Sequence, residues 1–166
     1  MPLILRLTKR SAWPGDGSAD AREQAVAEFH RRPVDTDGVS VFEVETQADR
    51  ELVVAAIACG RLKDDRPVDL IAVDRSVVER YGPIAVTLGG SPVDRANLLH
   101  RSLDWPDAEL RRMAEHLADS STPATRYSPG EVRTLLAALR PDDVTGDEYR
   151  AFVEETKAKR RATLDK

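Results

Sequence analysis

Two helix-start signatures near the end of the chain, Ser128-Pro129-Gly130-Glu131 and Thr145-Gly146-Asp147-Glu148, constrain the fold before anything else is considered. In each, a hydroxyl residue precedes an acidic one by three positions. At that spacing two side chains reciprocally satisfy the free amide groups of a helix's first turn. Pro129 adds a residue whose fixed backbone angle suits the first helical position. Val132, Leu135, Leu136 and Leu139 then recur at i, i+3, i+4 and i+7 until Pro141 stops the helix, and Tyr149, Phe152 and Val153 mark the inner face of the next. Asp104, with Pro106 behind it, predicts a further start, followed by Leu110, Met113, Ala114 and Leu117 on one face. Ser120 to Arg126 reads as a polar linker. Residues 104–166 are therefore expected to form a C-terminal helical region of three helices, packed on the same domain as residues 1–103.

Those first 103 residues alternate. Leu3 to Leu7 suits a strand, and Pro14, Gly15 and Gly17 mark a loop. Ala19 to Phe29 suits a helix, with Asp20 as its cap. Val39 to Glu45 (VSVFEVE) is the strongest strand pattern, β-branched and aromatic with period two. Thr46 with Asp49 caps a helix through Leu52, Val53, Ala56 and Ile57 that should stop at Gly60. Asp69 to Asp74 and Ile84 to Leu88 read as inner strands, joined by a short helix at Ser76 to Tyr81. Ala96 to Leu103 suggests a short strand through Leu98 and Leu99. The expected class is α/β or α+β: an α/β core domain over 1–103, with one small sheet of about four to five strands packed with helices.

Charge and cysteine usage exclude several functions. The chain carries 25 Lys and Arg against 29 Asp and Glu, a formal net charge of −4. That disfavours a surface wholly devoted to nucleic acid. With Cys59 as the single cysteine, no intrachain disulfide and no multi-cysteine metal site can form. No apolar run approaches the roughly 20 residues of a membrane span, and the N-terminal run is too short for a signal peptide. The expected protein is soluble and cytoplasmic, with no membrane association, metal or cofactor.

Searches for chemistry narrow to one loop. Gly89-Gly90-Ser91 follows an expected strand but is followed by Pro92, and no phosphate-cradling glycine motif can be written through it. His30, His100 and His116 lack metal-site spacing. Cys59 closes an Ala/Val-rich helix and reads as a small buried side chain. The segment from Phe29 to Val41 instead gathers His30, Arg31, Arg32, Asp35, Asp37 and Ser40 before the strongest strand. Arginine forks bind phosphate or carboxylate, and His30 could move a proton. In this reading Arg31, Arg32 and His30 bind an anionic ligand, while Asp35, Asp37, Ser40 and His100 are catalytic candidates. The competing reading is a turn closed by Asp35 or Asp37, with Gly38 at positive φ and an arginine paired to a carboxylate.

The run A-E-F-H-R-R-P-V-D-T-D-G-V-S-V resembles a signature of small bacterial proteins in which F-x-R-P leads through D-x-D-G-L-S-V into a strand. Val39 stands where leucine is usual, and Ala96 to His100 is a loose counterpart of a later His-containing run. The resemblance implies a bacterial cytosolic protein with no settled activity.

Three functions follow as expectations. The first is a small interaction or adaptor protein without catalytic activity, whose partner is another protein met through the C-terminal helices. The alternative is a small enzyme or binding protein for a phosphorylated or nucleotide-like ligand, using the Arg31–Ser40 loop. Nucleic-acid binding through Arg140 and the basic tail Lys157, Lys159, Arg160 and Arg161 ranks last, because aromatic residues for stacking are few.

Overall fold

The structure, a computed structural model, describes residues 1–8, 19–30, 38–87, 89–120 and 122–164, with backbone alone for 19–21 and 164. In chain order the elements are β1 (Leu3–Thr8), α1 (Ala19–Glu28), β2 (Val39–Val44), α2 (Gln47–Gly60), β3 (Val68–Asp74), α3 (Arg75–Val78) and β4 (Ala85–Val86). There follow α4 (Asp94–Asn97), β5 (His100–Leu103), α5 (Asp107–Asp119), β6 (Ala124–Tyr127), α6 (Pro129–Ala138), a 3-10 turn (Pro141–Asp143) and α7 (Asp147–Leu164). The strands form one sheet in the order β4-β5-β2-β1-β3-β6. β1 runs antiparallel to both β2 and β3, β2 to β5, and β4 to β5, so the class is α+β. Six strands are found among the described residues, more than the four to five expected.

Period-two alternation decides what each strand buries. Ile4 lies opposite Glu43 and Val73, Arg6 opposite Ile71, and Val39 opposite Leu103. One sheet face therefore carries Ile4, Val39, Val41, Ile71, Val73 and Leu103. They form a buried cluster with Ala25 of α1, Phe29 just after it, Val78 of α3, Trp105, and Leu110, Met113, Ala114 and Leu117 of α5. Those last four are the face that spacing assigned to this helix. Arg6, which interrupts an apolar run in the sequence, has a structural role on the same face. Its guanidinium donates to the Glu28 carbonyl at 2.7 and 3.1 Å and to the Ser40 carbonyl at 2.8 Å, tying the end of α1 to β2.

The contacts divide the chain into two units. One comprises Met1–Glu45, Asp69–Thr87 and His100–Arg126, with most of the sheet and α1, α3 and α5. The other comprises Thr46–Val68, Leu88–Leu99 and Tyr127–Lys166, where α6 packs against α2 and α7. Thus α5 groups with the sheet, while α6 and α7 group with the earlier helix α2.

Two of the expected caps form as read. Thr46 Oγ1 accepts from the Asp49 amide (3.1 Å) while Asp49 accepts from the Thr46 amide (2.9 Å). Ser128 and Glu131 make the same reciprocal pair at 3.3 and 2.8 Å. Others do not. Asp20 lies inside α1, and α5 begins at Asp107 with Pro106 as its cap residue, leaving Asp104 outside. α7 begins at Asp147, and the Thr145 hydroxyl donates to Asp94 at 2.8 Å. Gly60 is the last helical residue of α2 instead of the first beyond it, and a side chain there would lie 3.3 Å from Pro92.

Strand boundaries also move. Leu98 and Leu99 form a turn between α4 and a strand that starts at His100. Of the run Ile84–Leu88, read as an inner strand, Leu88 lies outside the described residues, and Ala85–Val86 form the short edge strand β4, whose Val86 is 70% exposed. The polar linker 120–126 contains most of β6. That strand was invisible to hydropathy because only Tyr127 in it is buried. Its Arg126 instead grips Asp69 of β3 through two bonds of 2.8 and 2.9 Å, and this pairing holds the guanidinium above its ordinary range.

Cys59 is fully buried, and burial pushes its thiol up to about 11. The thiolate is the reactive form, so iodoacetamide at about pH 8 should leave native Cys59 unmodified and alkylate it in denaturant. Mass spectrometry of both samples decides the point. Equal labelling would mean that the C-terminal turn of α2 is open.

Candidate functional site: a basic cleft on the C-terminal helices

Residues of early α6 share one hollow with the end of α7, and Ala137 shares another with the middle of α7, so the two helices run antiparallel across the short connection 139–146. The first turns of α6 thus meet the end of α7. There a cleft of about 370 Å³ is lined by Asp64, Gly130, Arg133, Thr134, Lys159, Arg160 and Thr163. Farther along, a second hollow of about 220 Å³ is lined by Ala137, Glu154, Lys157, Arg160 and Arg161. Arg160 lines both.

The cations are held to different degrees. Arg133 donates to the Asp64 backbone carbonyl at 3.3 Å. Lys159 lies 2.9 Å from Glu155 and 3.8 Å from the Asp64 carboxylate. The hydrogen bond to Glu155, with Asp64's charge beside it, raises the Lys159 ammonium above its usual range and keeps it charged. Lys157 lies 2.8 Å from Glu154. Arg160 and Arg161 make no ion pair among the described residues, and both are exposed.

The lining hydroxyls are already engaged, so among the side chains the donors to an incoming anion are these cations. The Thr134 hydroxyl already donates to the Gly130 carbonyl (3.1 Å), and Thr163 donates to the Lys159 carbonyl (3.0 Å). At the start of α6 the Ser128–Glu131 box takes up the Glu131 amide. Glu131 is held below the ordinary carboxylate range, first by the Ser128 hydroxyl and then by the Ser128 amide. What remains is a side-chain site of two guanidinium forks and an ammonium around one hollow.

Four of the cations, Lys157, Lys159, Arg160 and Arg161, were visible in the sequence as a basic tail; the structure brings all four to the two hollows. Arg133 and Asp64 were missed. The signal that finds Arg133 is the short α6–α7 connection, which sets the start of one helix beside the end of the other. Arg140, grouped with the tail in the sequence reading, lines a separate groove with Glu51, Arg95 and Asp143.

The loop proposed from sequence divides differently. Arg31, Arg32, Asp35 and Asp37 lie outside the described residues. His30 is exposed just beyond α1. Ser40 lies opposite Ser102, and His100 opposite Phe42, so Ser40 and His100 share one sheet face as diagonal neighbours. His100 is buried with its ring edge-on to Phe42, centroids 5.3 Å apart, and Ser102 is bonded to Thr87 at 2.6 Å. On the opposite face Glu43 accepts from Arg101 at 2.8 Å and from Arg75, an ion cluster that joins β2, β5 and α3.

No family model matches the chain, and neither the curated proteins nor the solved structures include a significant match. Among the described residues no group of three or more His, Cys, Asp or Glu could hold a metal ion, and no helix is long and apolar enough to cross a membrane.

Proposed function

We propose that this chain is a small, non-catalytic interaction protein, and that its α6–α7 face receives an anionic segment of another protein. The observation that carries the reading is the convergence of Arg133, Lys159 and Arg160 on one hollow in a chain of net charge −4. Cations at the end of α7 also complement its dipole, worth about 0.3–1 kcal/mol at an exposed end. That account does not extend to Arg133, which sits in the N-terminal half of α6, where the dipole gives a cation no advantage. A recognition surface accounts for both ends at once. The buried, single Cys59 suits a reducing compartment, in keeping with a cytoplasmic place for the protein.

The test is a fluorescence-anisotropy titration with a labelled polyglutamate peptide. Wild type should bind, the complex should weaken as salt rises, and the triple variant Arg133→Gln, Arg160→Gln, Arg161→Gln should lose at least about tenfold in affinity. Binding that ignores both salt and the variant would remove the basis of the reading.

A further inference from the structure

Resting on the interaction reading above, we infer that the anionic partner of the α6–α7 face is a second copy of this chain. The two copies meet antiparallel, each setting the acidic α6–α7 connection and first turn of α7 on the basic end of the other. The charges of α6 and α7 are divided by sign along their length. At the cleft end Arg133, Lys157, Lys159, Arg160 and Arg161 stand against the carboxylates of Glu131, Glu154, Glu155 and Asp64, an excess of one positive charge. At the connection Asp142, Asp143, Asp147 and Glu148, with Asp94 bonded to Thr145, outnumber Arg140, Arg150 and Arg95 by two. These counts take in every charged residue of 129–164 and the charged residues of the same unit bonded to them.

Opposite signs at the two ends suit a two-fold axis. In an isologous contact, a basic end that meets an acidic end is matched by the reverse pairing, and the assembly closes at two copies. A foreign acidic segment satisfies the basic end alone. A copy of this chain also brings a basic end for the acidic connection. With a net charge of −4 the copies repel elsewhere, so the axis falls where the unlike ends meet.

The pairing groups are accessible. The Asp147 side chain is fully exposed despite its 3.0 Å contact with Arg150, and Glu148 and Asp142 are exposed as well. Arg160 and Arg161 are exposed and make no ion pair among the described residues. Asp147 and Arg161 lie about 21 Å apart along α7, at roughly 1.5 Å per residue, so the two contacts are well separated. Between them Ala151, Ala158 and Ala162 are exposed on one stripe of α7, within about 40° of one another, and small side chains there let a second helix come close. Glu154 and Glu155, which come nearest the axis, are each compensated by a lysine of their own helix, at 2.8 and 2.9 Å.

Sedimentation equilibrium, with a polyglutamate titration beside it, tests the pairing. Wild type should approach twice the mass of the chain as concentration rises at low salt, and return to monomer as salt rises. The double variant Arg160→Glu, Arg161→Glu should weaken self-association at least about tenfold, and so should Asp147→Lys, Glu148→Lys. Mixed in equal amounts, the two double variants should associate as wild type does, because each reversed end meets the other reversed end and the untouched ends still match. Polyglutamate, which takes the same cations, should dissociate the wild-type dimer. Lysine in the first turn of α7 opposes the helix dipole; should that variant fail to fold by circular dichroism, Asp142→Lys, in the connection, takes its place. A wild type that stays monomeric at every concentration yet binds polyglutamate would overturn the second copy and leave the interaction reading intact, the partner then being a different acidic protein segment. A monomer that ignores polyglutamate would overturn both. A dimer that both double variants still form, or that their mixture does not restore, would place the contact on another face and overturn the pairing.

Discussion

Gly38→Ala is expected to lower the unfolding free energy by about 3 kcal/mol or more, through strain at a fixed backbone and overpacking together. Gly38 has φ +95°, a region that side chains rarely enter. A Cβ at that position would stand 2.6 Å from the Leu103 carbonyl oxygen and 2.8 Å from both the amide nitrogen and the Cα of Asp104. All three are backbone atoms, so no side chain can swing aside. Relief requires parting the start of β2 from the end of β5, where Val39 and Leu103 are paired and both are wholly buried. Gly89 provides the control. Its φ of +99° is almost the same, but nothing lies within 4 Å of a Cβ there, so Gly89→Ala should cost only about 1–2 kcal/mol of conformational strain. Urea unfolding followed by circular dichroism measures both. Equal costs at the two positions would show that the β2–β5 junction yields easily.

The same glycine shows which parts of the molecule could be read from the sequence. Gly38 was expected at positive φ because it closes a turn ahead of a strong strand, and that local chemistry is visible in neighbouring residues. So are the capping boxes at Thr46 and Ser128 and the i, i+3, i+4 face of α5. Each depends on contacts a few residues apart. The errors fall where distant parts of the chain decide. β6 is polar and holds its edge position through strand pairing and the Arg126–Asp69 fork, whose partners are far apart in sequence. Ile84 to Leu88 looked like an inner strand because hydropathy cannot distinguish an edge from a centre. Thr145 looked like a cap because the sequence does not show Asp94 waiting for its hydroxyl.

The candidate site divides along the same line. Its cations at 157–161 are contiguous and were legible as a basic tail. The property that turns a tail into a cleft is the antiparallel return of α7 along α6, which brings Arg133 and Asp64 to Lys159. That return was implicit in the eight residues of the connection, 139–146, but only if connection length is read as geometry. Arg6 was hidden for a different reason. One charged residue within an apolar strand reads as an interruption, while its guanidinium in fact satisfies backbone carbonyls of both α1 and β2.

Trp105→Ala should cost about 3–5 kcal/mol, the range for emptying a buried aromatic site. The indole is 4% exposed and belongs to the cluster between the sheet and α5. Its Nε1 donates to the Pro83 carbonyl at 2.6 Å, joining the residues before α5 to the turn before β4. Gly82 closes the other side, for a Cβ there would lie 2.7 Å from that same Nε1. Three substitutions separate these contributions. Trp105→Phe keeps much of the apolar body and loses the hydrogen bond, leaving a carbonyl without its donor at a cost of about 1–3 kcal/mol. Gly82→Ala keeps the donor but pushes it aside, for an overpacking cost of about 1–3 kcal/mol. The double variant Gly82→Ala, Trp105→Phe should cost less than the sum, because the ring that the new methyl group meets is smaller and no longer donates. Urea midpoints with unchanged slopes would give the three values directly. An additive double variant would mean that the indole and Gly82 do not share a contact, and that the turn before β4 is held in place by something other than Trp105.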